Sequence, residues 1–318
     1  MTMNVRPLGD EYAFGARISG VTRESLSDPK LHDKIRSVFE ERGLIVFEDV
    51  EQSGEMQLAL SRALGPLKEH PVPAVSRVDP DTMPGVIDLR YEPGGDVTLV
   101  EIKGKPLANW LPWHFDHCYN NELNRAGILR ALTVPPEGGL TGFADGIQLY
   151  RSLSAELREE IEGRNVIYTL DLVYGKMRFG KPEGFRILHE AKGQLEYSEH
   201  AKKMPRAIHP AVWSRKSGEK VLHVSPWMSV GIEGDETAHG EKLLERLCNE
   251  ILTKVQPYFH HWQGSEMLTW DNWRILHCVS GTNPEYRRRM HRTTIKGDYG
   301  LGYFEGNGQG GKLLEMTV

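Results

Sequence analysis

The sequence predicts a mainly β chain with flanking helices, a double-stranded β-helix or jelly roll, and three observations carry that expectation. The middle of the chain consists of short strand-like segments separated by turns. Helical periodicity is confined to a few stretches. No regular alternation of strands and helices is present, and no GxGxxG follows a strand, so a doubly wound α/β sheet is disfavoured. With 318 residues, 39% of them hydrophobic, the chain can bury a sizeable core, and residues 1–318 read as a single domain. The Gly-rich tail, residues 299–318, is expected to fray or to act as a flexible arm.

Taken in order, Leu31, Ile35, Val38 and Phe39 recur at helical spacing, Gly43 stops that helix, and Leu44-Ile-Val-Phe47 reads as a short buried strand. Met56, Leu60 and Leu64 mark one side of a second helix, ended by Gly65-Pro66. Residues 88–111 and 168–200 read as loops, where specificity usually resides. Ser154 can cap a helix that carries Leu157 and Ile161, and residues 207–224 form a hairpin turning at Lys216-Ser-Gly-Glu219. Leu243, Leu244, Leu247, Ile251 and Val255 line a further helix, after which Met267 to Trp270 and Ile275 to Val279 return to strand character. Short antiparallel strands with a few external helices are the means by which cupin-like jelly rolls hold a ligand between two sheets.

Composition excludes several partner classes. Lys+Arg number 39 against 44 Asp+Glu, and no basic block could track a phosphate backbone, so nucleic acid is not an expected partner. No run of about 18 apolar residues exists to span a bilayer, and the polar first ten residues lack a signal-peptide core. Cys118, Cys248 and Cys278 are too few and too scattered for a disulfide framework, which fits a reducing cytoplasm. Cys118 and Cys278 stand close to the candidate ligands below and are either buried filler or active-site lining.

Trp113-His-Phe-Asp116 is the informative tetrapeptide. A strand alternates its side chains, so His114 and Asp116 project to one face while Phe115 and His117 project to the other. With a remote second histidine this pair makes a 2-His-1-carboxylate triad, the ligand set of non-haem Fe(II) oxygenases. His277 can supply that ligand, closing Trp270-Asp-Asn-Trp-Arg-Ile-Leu-His277. Arg288 and Arg292 follow 11 and 15 residues later, on a common strand face. A guanidinium fork stays charged when buried and grips carboxylates bidentately, so it can anchor the far end of a dicarboxylic cosubstrate whose near end chelates the metal. Arg287 and Arg289 alternate to the opposite side and read as a solvated basic face. Thr141 follows Gly138-Gly139, which either form a hairpin turn or admit a close backbone approach, and its hydroxyl can donate to a carboxylate.

These residues, with the Gly43 to Phe47 strand, Leu64-Gly-Pro-Leu67, Gly138-Gly-Leu-Thr141 and residues 152–163, resemble the TauD/TfdA family of taurine and 2,4-dichlorophenoxyacetate dioxygenases. The resemblance implies iron ligands at His114, Asp116 and His277, and 2-oxoglutarate contacts from Thr141 and Arg288. It matches Arg292 to an arginine that faces a substrate anion, and His70 to a substrate-contact histidine. Asp116 itself favours hydroxylation, since related halogenases carry a small residue there. Trp110 stands where the taurine enzymes carry a small amide, which implies a bulkier, more apolar substrate. Members of the family commonly form dimers or tetramers, so a homo-oligomer is expected.

The implied chemistry uses Fe(II), 2-oxoglutarate and O2 to hydroxylate or oxidatively cleave a C–H position of a small anionic or bulky apolar molecule, releasing succinate and CO2. Arg292 either contacts that substrate or reinforces cosubstrate binding. Two other classes share part of the pattern. A Zn(II) hydrolase can use two histidines and a carboxylate without Thr141 or the arginines, and a non-catalytic jelly-roll binding protein would keep the pocket alone.

Overall fold

A computed structural model describes residues 3–70, 76–79 and 81–306. Among these, two large sheets face each other. One is seven-stranded, in the order Asn4–Pro7, Ala16–Ser19, Leu44–Phe47, Met267–Asp271, Ala126–Thr133, Arg288–Ile295, Val86–Tyr91. The other is six-stranded, in the order Arg186–His189, Leu99–Ile102, Lys105–His114, Ile275–Thr282, Thr141–Asp145, Tyr258–His260. Nearly every pairing is antiparallel, and sequence-distant strands are neighbours throughout, which is the jelly-roll pattern. The cavity-facing sides of the two sheets meet in a core that includes Leu129, Phe143, Leu268, Trp270 and Met290.

The early elements form for the reasons the sequence suggests. Asp28 caps the helix Pro29–Arg42, and Gly43 ends it at φ 74°, a left-handed conformation that costs glycine nothing. Ser53 accepts from Met56 N–H at the start of the helix Gly54–Leu64, whose Met56 and Leu60 are fully buried. That helix lies across the seven-stranded sheet, where the Gln57 amide donates to the carbonyls of Ile128 and His291 on adjacent strands. The helix Ala238–Lys254 buries Leu243, Leu244, Leu247 and Ile251 in a second core outside the six-stranded sheet.

Three expectations are corrected. Residues 88–111 are mostly strand: Val86–Tyr91, Leu99–Ile102 and Lys105–His114, the last two joined by a two-residue turn at Lys103 (φ 51°) and Gly104 (φ 78°). Within residues 168–200 lie the strand Arg186–His189 and most of the helix Lys192–Ala201. The tail does not fray as far as Gly306. Tyr303–Phe304 pairs with Ala207–Ile208, and Tyr299 is buried against His209 and Trp273. Gly302 is there for close approach, since a Cβ would lie 2.3 Å from Asn121 O. Residues 307–318 lie outside the described residues.

Candidate metal centre

His114 ends the strand Lys105–His114 and pairs directly with His277 on Ile275–Thr282, so the two imidazoles share a face, with ring centroids 4.2 Å apart. Asp116 lies two residues beyond the strand end. Its Oδ1 is 4.0 Å from His114 Nε2 and 3.7 Å from His277 Nε2. All three residues are buried, and one ligand atom from each falls within 4.8 Å of the others. Trp270 and Phe143 wall one side of His277, and Trp227 stands edge-on to His114 at 5.2 Å.

The donor set fits a divalent cation. His114 Nδ1 donates to the carbonyl of Pro112 at 2.7 Å, which fixes the tautomer and leaves the Nε2 lone pair toward the centre. Burial, then the neighbouring His277, pushes the His114 pKa down to about 3, so the imidazole is neutral and able to ligate. Burial alone would raise the Asp116 pKa. The guanidinium of Arg292, with His277, outweighs it and holds the group well below the ordinary carboxylate value. Arg292 Nη1 reaches both carboxylate oxygens, at 2.9 and 3.0 Å. An ionised carboxylate offers about four lone-pair sites, so this contact leaves room for a metal.

Arg288 meets a different environment. It is buried, its Nε donates to Gly139 O at 3.2 Å, and no carboxylate of the described residues forms an ion pair with it. Burial lowers its pKa to about 10, so it still carries its charge at neutral pH. Thr141 pairs with Val279, two steps along the ladder from the Phe143 and His277 pair, and so faces the same side as His277. Its hydroxyl oxygen accepts from Trp262 Nε1 at 3.2 Å and keeps its own proton for donation. Gly138 and Gly139 are both turn and close approach: their φ values are 71° and 65°, and a Cβ on Gly138 would lie 2.8 Å from Gly281 O. Arg289 is clasped by Asp88 rather than simply solvated, while Arg287 is exposed beside Glu92.

Two placements differ from simple alternation. Leu111 pairs with Val279 whereas His114 pairs with His277, so the strand carries one extra residue at Pro112-Trp113. The bulge turns Trp110 to the face of Ser280, away from the triad. There it packs on Tyr174 and Phe185, each 5.2 Å away, beside an outer cleft of about 470 Å³ shared with Trp113 and Phe259. Trp110 thus reaches the triad only through Tyr174 and Trp227, and Trp227 is the tryptophan against His114. His117, in turn, is not on the far face. Its φ is 62°, which swings the ring edge-on against His70 at 5.0 Å, and burial is the main cause of its lowered pKa, with His70 next. Both its ring nitrogens are buried without a hydrogen-bond partner among the described residues.

A jelly roll with two histidines and a carboxylate converging between its sheets, and a buried unpaired arginine on the facing strand, defines a metal-dependent oxygenase class. The chain matches the family described as taurine catabolism dioxygenase TauD, TfdA over residues 4–294, and it belongs to that family. It is accordingly an Fe(II)- and 2-oxoglutarate-dependent dioxygenase acting on a small molecule, which removes the zinc hydrolase and the non-catalytic binding protein from consideration. It is 29% identical over 303 residues to an (S)-phenoxypropionate/alpha-ketoglutarate-dioxygenase of Sphingobium herbicidovorans, covering 93% of this chain and 95% of that one. It is 28% identical over 312 residues to an alpha-ketoglutarate-dependent 2,4-dichlorophenoxyacetate dioxygenase of Cupriavidus pinatubonensis, covering 94% and 99%. Its fold is similar to that of a crystal structure titled a putative alpha-ketoglutarate-dependent taurine dioxygenase from Burkholderia xenovorans, with TM-score 0.68 and 24% identity over 96% and 92% of the two chains. No helix of the described residues is long and apolar enough to cross a membrane.

Proposed function

We propose that His114, Asp116 and His277 hold the iron, that Arg288 and Thr141 bind the distal carboxylate of 2-oxoglutarate, and that the substrate is a small organic acid with a bulky apolar body. The observation that carries the cosubstrate assignment is the buried charge of Arg288. Leaving a guanidinium unpaired in the core is costly, and a dicarboxylate reaching from the metal would supply the missing anion. The substrate class is supported by the two relatives named for phenoxyalkanoic acids and by Trp227 beside His114.

Bound iron supplies the redox chemistry by which O2, 2-oxoglutarate and a substrate C–H group become succinate, CO2 and a hydroxylated product. The protein's residues do the rest. His114 is kept neutral and oriented through Pro112, Asp116 is kept ionised by Arg292, and Arg288 orients the cosubstrate. The walls formed by Trp227, Trp270 and Phe143 exclude water. Where the hydroxylated carbon bears a heteroatom, the product breaks down and the outcome is cleavage.

By the family resemblance, Arg292 and His70 are the candidates for contact with an anionic substrate group. The engagement of Arg292 with Asp116 favours a second reading, in which Arg292 serves the carboxylate ligand and the substrate is neutral.

The test is an anaerobic titration of the apoprotein with Fe(II) and 2-oxoglutarate, followed by the weak visible charge-transfer band of the chelate. The band should form in wild type and vanish in His114→Ala; no iron binding in wild type refutes the site. Succinate release is then compared across phenoxyacetate, phenoxypropionate and their neutral amides. Acceleration by the acids alone supports the first substrate reading, and by the amides the second.

A further inference from the structure

Asp116 lies outside the strand that carries His114, so no ladder bonds hold its main chain, and it is nevertheless 7% exposed. Something must satisfy that buried backbone and fix where the carboxylate starts. The Asp116 N–H donates to Asn272 Oδ1 at 2.7 Å, and Asn272 Nδ2 donates back to Asp116 O at 3.0 Å. The same amide nitrogen reaches Asn124 O at 3.2 Å and Asn124 Oδ1 at 3.1 Å. Asn272 is fully buried and sits in the turn between the strands Met267–Asp271 and Ile275–Thr282, five residues before His277. Its own main chain is anchored, its N–H donating to Arg125 O at 3.0 Å.

A second arm reaches the same loop. The carbonyl of Asn272 accepts from His223 Nε2 at 2.8 Å, and the His223 ring stacks on Phe115 at 3.8 Å with an interplanar angle of 18°. Two consecutive residues of the ligand segment are thus held together: Asp116 by Asn272 directly, and Phe115 by the His223 ring that Asn272 anchors.

We infer that Asn272, with His223 behind it, is a positioning residue for the metal site: it sets the distance between Asp116 and His277 by gripping the Asp116 backbone. The inference rests on the proposal that Asp116 is an iron ligand. Groups that orient metal ligands contribute about 10- to 100-fold to metal affinity.

The test is the anaerobic Fe(II) dissociation constant of the full chain, read with and without 2-oxoglutarate, alongside circular dichroism and Tm of the apoprotein. Asn272→Asp keeps the acceptor for Asp116 N–H but turns the donor into an oxygen facing three other oxygens. It should lose about 10- to 100-fold in Fe(II) affinity. His223→Phe keeps the ring on Phe115 and removes the donor to Asn272, and should lose several-fold. Asn165→Ala, which removes bonds to Glu233 and Tyr303 in the separate four-stranded sheet, should lower Tm with Fe(II) affinity unchanged. Wild-type affinity in a folded Asn272→Asp overturns the inference, as does an equal loss of affinity in Asn165→Ala. If Asn272→Asp does not fold, His223→Phe decides, and unchanged affinity there overturns it. Failure of wild type itself to bind iron would instead refute the underlying ligand assignment.

Discussion

Arg288 and Arg292 stand one above the other on the same strand and meet opposite electrostatic surroundings. Arg288 has a carbonyl and no carboxylate, while Arg292 is spent on Asp116. Removing a buried charge partner costs roughly 2–5 kcal/mol, so Arg288→Ala should raise the 2-oxoglutarate concentration for half-formation of the chelate band by about 30-fold or more; a change under threefold contradicts the assignment. Arg292→Gln should act on acid sensitivity. In wild type the depressed Asp116 pKa keeps the carboxylate ionised as pH falls, whereas in the variant burial raises it against a weaker opposition. His277 and His117 still oppose burial in the variant, but the largest opposing charge is gone, so its Fe(II) affinity should drop between pH 7 and 5 more steeply than that of wild type, and parallel profiles would dismiss Arg292 as the cause. The clustering of His114, Asp116 and His277 was legible in the sequence because ligand chemistry resides in side-chain type and spacing. The partner of Arg292 was not, since nothing in an HxD motif says which cation its carboxylate meets. Nor was the place of His117, because strand alternation ceases to apply once the chain leaves the strand at His114 and turns through a positive φ.

At the scale of elements, the turn before Thr141 ties the two proposed cosubstrate residues, Thr141 and Arg288, together. Gly139 has φ 65°, its carbonyl accepts from Arg288, and a Cβ there would lie 2.7 Å from Pro135 Cγ. Gly139→Ala should thus cost about 1–3 kcal/mol of stability and weaken 2-oxoglutarate binding as Arg288 shifts. Urea unfolding together with the chelate titration checks both, and a stability loss with binding intact would confine the turn to a structural role. Helices with capping residues and apolar stripes, such as Pro29–Arg42 and Gly54–Leu64, were readable from periodicity. The strands within residues 88–111 were not, because Leu99–Ile102 and the start of Lys105–His114 are only partly buried and carry little apolar alternation. The Lys103-Gly104 turn was the available signal.

For the molecule as a whole, the jelly roll was legible from many short strands without βαβ order, but the packing of the tail was not, since glycine reads as flexibility unless the neighbouring backbone is known. That packing brings Tyr299 against His209, which like His223 is a core histidine kept neutral by burial, with the His209 pKa lowered to about 4 and that of His223 to about 3. Below about pH 6.5 the unfolded chain takes up protons at these positions and the folded chain does not, so stability falls with acidification until the folded values are reached. The pair should account for a loss of about 2 kcal/mol between pH 6.5 and 5.5, measurable by urea unfolding of the apoprotein. Stability that stays flat over this interval would mean that both imidazoles can reach solvent.

The extra residue at Pro112-Trp113 makes the inner surface of the barrel depend on chain length as well as on residue type. Excising one residue there would restore strict alternation toward Lys105 and exchange Leu111 for Trp110 at the wall beyond His114. A relative with that strand one residue shorter would present a different pocket from nearly the same letters.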